Sequence, residues 1–258
     1  MTTTNVQGAR RDDPLQARPE DHASTTRVLR PDLEALPPRL RKLPLDARGY
    51  PVPWFVAWID GVPDHRVVNP QRFGEAVKQR RCWVCGEPLG RWLAFPIGSM
   101  CAITRTISEP PSHLDCAEWS VKNCPFLSKP EMVRREEDRP ADWVAPAGNA
   151  IMRNPGVMCL WVTRSYEIVR DAANRPLFQI GAPERVSWWR EGRAATREEV
   201  DTAVTTGFPL LLAEAKRDGP VAVEMLEKCL RLAEPLFPRK AHATGIVDAG
   251  SSRADGVE

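Results

Sequence analysis

Apolar positions along this chain fall into short blocks of two kinds, strand-length runs first and helical stripes last. Trp54–Ile59 (W-F-V-A-W-I) is a continuous apolar run and reads as a buried strand. Asp60-Gly61 begins a turn, and Arg66–Val68 returns as a second strand. Asn69-Pro70 then opens a helix, Asn as N-cap and Pro in the first turn, with Phe73, Ala76 and Val77 on one apolar face. Arg91–Ile97 and Ala102–Ile107 read as two strands around Gly98-Ser99. A second group of strand patterns lies at Val157–Thr163, Tyr166–Arg170 (a continuation of the first), Leu177–Ile180 and Val186–Trp189. The last third is helical. Thr196 and Glu199 form a capping box ahead of Val200, Ala203 and Val204. Pro209–Lys216 reads as a short separate helix. Pro220 starts a longer one, to Glu234, with Val221, Met225, Leu226, Cys229, Leu230 and Ala233 as its core stripe. Strands first and helices last predict an α+β fold rather than alternating βαβ units.

The remaining stretches lack such periods. Residues 1–35 are polar and read as a disordered arm, or as one that orders on a partner. Residues 36–130 hold the first strands and the cysteine-rich stretch. Leu36, Leu40, Leu43 and Leu45 are placed to pin a Pro-rich segment to a core. Residues 129–147 read as an exposed linker. Strands followed by helices occupy 150–238, and 239–258 form a mobile tail.

The chemistry concentrates between Cys82 and Cys124. Cys82 and Cys85 make C-x2-C followed by Gly86; His113 and Cys116 make H-x2-C after Pro110-Pro111. Two such half-motifs supply four N/S donors, the usual set of a tetrahedral zinc site. Gly86 relieves the tight turn of the first half. Ser112 as N-cap with Asp115 three residues on would place His113 and Cys116 on one face of a helix start, where the dipole favours a thiolate. The expected ligands are therefore Cys82, Cys85, His113 and Cys116, with Cys101 or Cys124 open as a replacement for one of them. Cys159 and Cys229 read as core. Four donors close the coordination sphere, so the zinc is expected to be structural.

Knuckle, hairpin and helix in this order resemble a treble-clef zinc finger, which implies a metal module embedded in the mixed strand/helix domain. The segments Arg48–Trp58, Cys82–Arg91, Glu109–Ala117, Cys124–Leu127 (C-P-F-L) and Glu191–Val200 are together similar to a family of uncharacterised bacterial and phage proteins. That resemblance implies no activity.

Composition narrows the functional classes. The 258 residues carry 36 Lys and Arg against 34 Asp and Glu, a net charge of +2, which argues against a strong generic nucleic-acid binder. There is no apolar leader and no apolar run near the ~20 residues of a membrane span. Seven cysteines, an odd number, fit a metal in a reducing compartment better than a disulfide framework, so a cytoplasmic location is expected. Lys78-Gln79-Arg80-Arg81 reads as a solvated helix end or as a phosphate-contacting patch. Nine tryptophans, some beside basic residues (Trp83, Trp92, Trp188-Trp189), read as core or as stacking groups. The expected function is a zinc-stabilised, non-catalytic binding protein with a nucleic-acid or protein partner. The alternative is a metal-dependent hydrolase or nuclease using Asp60, Asp64 and His65, with Asp115 as a further candidate acid. No G-x-S-x-G, H-E-x-x-H or phosphate-binding glycine loop supports the alternative.

Overall fold

The structure, a computed structural model, describes residues 28–130, 132, 147–148 and 156–240. Residues 1–27 of the arm expected at 1–35, most of the linker and residues 241–258 of the tail expected at 239–258 lie outside the described residues, whereas at 28–35 Leu33 packs on a buried cluster and the Glu34 amide donates to the Asn123 side chain at 2.9 Å.

Within them the fold is α+β. The chain enters as an extended segment with a short 3-10 turn at Pro38–Leu40. β1 (Val56–Ile59) and β2 (Val62–Val68) form an antiparallel hairpin. Its two-residue loop is Asp60-Gly61, both at positive φ (50° and 75°), as the twist of a tight hairpin requires. β2 starts four residues before the predicted return strand, because that loop brings the chain straight back. α1 (Pro70–Gln79) begins where expected: the Asn69 side chain accepts from the Arg72 amide, and Pro70 stands in the first turn.

β3 (Leu93–Gly98) departs from expectation. It does not fold back on the following residues, which instead form a short helix, α2 (Ser99–Thr104), and a two-residue strand, β4 (Thr106–Ile107). β3 pairs with β5 (Met158–Thr163), more than fifty residues on, with Phe95 opposite Trp161. β5 is buried at every position and pairs on its other edge with β8 (Arg185–Arg190), which pairs with β9 (Arg193–Ala194). Phe95 and Trp161, opposite each other in this pairing, are 0% and 2% exposed, so the pairing buries two large aromatic side chains. A second sheet joins β4, β7 (Pro176–Ile180) and β6 (Tyr166–Arg170) in that order. Tyr166–Arg170 therefore does not continue β5 but belongs to another sheet.

Between α1 and β3 lies the cysteine knuckle. α3 (Leu114–Asn123) and α4 (Pro125–Ser128) follow β4, and α3 packs on β3 and β5. The C-terminal part is α5 (Arg197–Asp218) and α6 (Pro220–Ala233), packed on each other and on α2. α5 is one helix of 22 residues, with Pro209 inside it, rather than two. The carbonyl that Pro209 leaves without a donor belongs to Thr205, which is exposed and can bind water, while Val200, Ala203, Gly207 and Ala215 keep the buried face continuous through the break. On α6 the core face is turned from the predicted stripe. Ala222, Val223, Leu226, Cys229, Leu230 and Ala233 face the body, whereas Val221 and Met225 are 69% and 63% exposed. Packing against both α2 and α5 fixes that rotation, and a sequence stripe alone does not carry it.

Candidate metal centre

Three elements meet at the cysteine-rich stretch. α1 ends at Arg80 in the left-handed conformation, and the chain turns sharply into Cys82. The Cys82 amide donates to the Glu87 carbonyl at 2.7 Å and the Gly86 amide to the Cys82 carbonyl at 2.9 Å, which closes the knuckle. Gly86 sits at φ 75°, and a Cβ there would lie 2.6 Å from the Trp54 ring, so both its backbone and its surroundings demand glycine. The second half of the motif comes from the start of α3. Here Ser112 is not the N-cap. Its amide and carbonyl pair with Ala94 of β3 at 2.8 and 2.9 Å, which holds it in extended backbone. The helix therefore begins one residue later, with His113 as N-cap and Cys116 in the first turn. Asp115 does not cap; its carboxylate accepts from Arg39 at 2.9 Å.

Cys82, Cys85, His113 and Cys116 converge, and one donor atom from each lies within 4.8 Å of every other. All four residues are buried, at 0, 3, 9 and 0% exposure. His113 Nδ1 faces Cys85 Sγ at 3.4 Å, and on the other side of the ring Nε2 stands 3.0 Å from the Pro88 carbonyl. A carbonyl can only accept, so Nε2 carries a proton, and Nδ1 is the ring nitrogen turned toward the sulfurs. The Cys85 and His113 amides point at Cys82 Sγ at 3.5 and 3.3 Å.

The electrostatics follow from this crowding. Burial works against ionising Cys82, but hydrogen bonds from Cys116, Cys85 and His113 outweigh it and hold its pKa far below the thiol range. The same bonds to Cys82 and Cys85 push Cys116 far up, and they raise His113 to about 10. Cys82 is thus favoured as a thiolate beside a protonated His113. Ionising all three thiols beside a neutral ring requires a cation in their midst. The set can hold a metal ion. Cys101 and Cys124 stand outside it. Cys101 lies on α2, where burial and then the charge of Glu109 raise its thiol to about 11, and Cys124 links α3 to α4.

A supporting shell was not legible in the motif. Leu40 and Trp119 pack on Cys82, Cys85 and Cys116. Arg39 reaches Glu87 at 3.3 Å as well as Asp115, and Lys42 also pairs with Glu87, so the entering segment clamps knuckle and helix together. Arg81 donates to the Gly86 carbonyl at 3.0 Å and bonds Gln79, so this member of the basic run braces the knuckle. Leu40 was foreseeable from the spacing of leucines. The ion pairs had no sequence signal.

Asp60, Asp64 and His65 are arranged differently. Asp60 occupies the hairpin loop. Asp64 is held by Arg66 at 2.6 Å, and His65 lies 3.6 Å from Asp46. Among the described residues they do not gather into a set that could hold a metal ion. Of the described tryptophans Trp92 alone is exposed, at 45%, with the guanidinium groups of Arg164 and Arg91 4.7 and 5.8 Å from its ring.

Neither a family model, nor a curated protein, nor a solved structure matches the chain. Among the described residues no helix is long and apolar enough to cross a membrane.

Proposed function

We propose that Cys82, Cys85, His113 and Cys116 hold one Zn²⁺ as a structural centre, and that the protein is a zinc-stabilised binding protein with no catalysis at the metal. The observation that carries this reading is the closure of the site: four buried N/S donors mutually within 4.8 Å. Three thiolates and an imidazole suit zinc, whose bonds of about 2.0–2.3 Å give tetrahedral edges near 3.8 Å. A catalytic zinc keeps a position open for water and a base beside it. Here the acid nearest in sequence, Asp115, is engaged by Arg39.

The knuckle and the helix that donate the ligands resemble the two ends of a treble clef. Between them β3, α2 and β4 stand where that finger has a hairpin. All seven cysteines are free, which supports a reducing, cytoplasmic setting. The partner is a nucleic acid or a protein, and Trp92 between Arg91 and Arg164 is the exposed group best suited to meet either.

X-ray absorption of the purified protein tests the centre. The expected first shell is three sulfurs and one nitrogen, at one metal per chain. A shell with a water oxygen in place of a protein ligand would reverse the reading toward an enzyme. Salt-dependent gel shifts with DNA and RNA, compared with Trp92→Ala, test the nucleic-acid branch.

A further inference from the structure

The solvent side of α6 carries three large apolar side chains where a surface helix ordinarily carries polar ones. Val221, Met225 and Leu232 are 69, 63 and 66% exposed. At about 100° per residue they fall within about 40° of one another around the helix axis, so they form one stripe along most of its length. The other side of α6 meets the body: Leu226 and Ala233 are buried there, with Ala222, Cys229 and Leu230 packed beside them. The outer stripe is thus left over after the core is built. Three such side chains make an apolar patch of about 300 Å², a size at which patches on monomers are often functional.

The charges beside the stripe indicate what covers it. Glu224 lies on one flank in the first half of the helix, and Lys228 and Arg231 lie on the same flank in the second half. Among the described residues none of the three takes part in an ion pair, although Glu224 and Lys228 stand four apart; Arg197 and Asp201, at the same spacing on α5, close at 2.8 Å. In an antiparallel pair of α6 helices related by a two-fold axis, each flank meets the same flank of the other copy. With Val221 opposite Leu232 of the second copy, Glu224 comes level with position 229 there, between Lys228 and Arg231. The two Met225 residues then lie about 4.5 Å apart along the helix direction, in the middle of the seam. Apolar seam and charge pairs come into register at one and the same offset. A parallel pair would instead set Glu224 beside Glu224 and Arg231 beside Arg231.

We propose that α6 is a homodimer interface: two copies of this chain pack antiparallel along Val221, Met225 and Leu232, and Glu224 of each copy pairs with Lys228 and Arg231 of the other. Such a two-fold contact is self-complementary and closes at two copies. One helix stripe with a charged flank is smaller than the roughly 800 Å² per partner of a standard interface, so the dimer is a weak, micromolar one. None of its residues is a metal donor, and it stands apart from the zinc reading.

Sedimentation velocity of the full-length protein from about 1 to about 300 µM tests the interface. The parent should pass from monomer to dimer across that range. Met225→Glu, at a position the fold leaves exposed, should keep the circular dichroism and metal content of the parent and stay monomeric throughout. The charges are tested by mixing two variants. Glu224→Arg, and Lys228→Glu combined with Arg231→Glu in one chain, should each weaken self-association about tenfold, because each sets like charges together. Mixed in equal amounts they should associate about as tightly as the parent, since every reversed charge then meets its opposite in the other chain. A mixture no tighter than its two components, or a Met225→Glu protein that still dimerises, would overturn the interface. A parent that stays monomeric to the top of the range would also overturn it and leave the stripe to a different protein.

Discussion

The metal module and the sheet–helix body are stabilised by different means, and they fail differently. Around the module the buried apolar cluster is small: Leu40, Cys82, Val84, Cys85, Cys116 and Trp119, three of the six being cysteines. Its order rests on a knuckle held by backbone hydrogen bonds, on ion pairs from the entering segment and on the convergence of four donors. The body has the larger cluster, with Phe95, Trp161, Phe178 and Trp188 at its centre and two helices across it. One region depends on ligation and the other on apolar burial. They touch at β3, whose Ala94 pairs with Ser112 while Phe95 faces Trp161.

The largest break should come from removing a ligand. Cys82→Ser is expected to lose the metal altogether and to unfold the module, because binding free energy at a structural zinc is largely folding free energy, on the order of 10 kcal/mol in small zinc peptides. Metal analysis, with hydrogen exchange at the Leu40 and Trp83 amides, checks this. The body should stay protected. If the amides of β5 open together with the module, the two regions are one cooperative unit and the contrast fails. Cys229→Ser, in contrast, should retain the metal.

Trp161→Ala attacks the other side of the comparison. Truncating an indole that is 2% exposed should cost about 3–5 kcal/mol and also orphan its hydrogen bond to the Gly181 carbonyl. Metal stoichiometry should not change. Denaturant titration beside metal analysis distinguishes this result from a general collapse.

Legibility in the sequence divides along the same line. The donor set was readable because C-x2-C-G and H-x2-C are local: each half forms within four residues, and only their meeting is long-range. The α1 start, the Asp60-Gly61 turn and the Thr196 capping box were readable for the same reason. The partner of β3 was not. Leu93–Gly98 has the same apolar pattern whether it pairs with the next segment or with one sixty residues away, so nothing in that local pattern selects the partner. The capping role expected of Ser112 failed because a backbone bridge to Ala94, invisible in sequence, claimed it first.

Gly86→Ala sharpens the contrast at a smaller scale. It adds one carbon at φ 75°, 2.6 Å from the Trp54 ring. Left-handed backbone costs about 1–2 kcal/mol for a residue with a Cβ, and the overlap adds to that. The knuckle should loosen, so the metal affinity should drop while the thermal transition of the body moves little. Competition with a chromogenic chelator measures the first, and circular dichroism the second.

The smallest expected effect is a pH dependence confined to the body. Glu199 closes the cap of α5: it accepts from the Thr196 amide at 2.8 Å and pairs with Arg193 at 2.6 Å. The Arg193 guanidinium, and then the Thr196 amide, lower its pKa to about 2 against partial burial. A carboxylate whose pKa is lower in the folded state than in the unfolded one stabilises the fold above its unfolded pKa, about 4.3, and loses that contribution as pH falls toward the folded value. The window is therefore about pH 4.3 down to 2. Glu199→Gln keeps much of the shape but removes the charge, and should cost about 1 kcal/mol at neutral pH, the usual worth of a helix cap. Acid also protonates the cysteine ligands, so the parent's own pH curve mixes both regions. The difference between parent and Glu199→Gln cancels the metal contribution, because the substituted residue touches neither knuckle nor α3. That difference should be constant above about pH 5 and shrink below about pH 4. A difference that stays constant through the acid range would mean that Glu199 is not held as a carboxylate by Arg193 and the Thr196 amide.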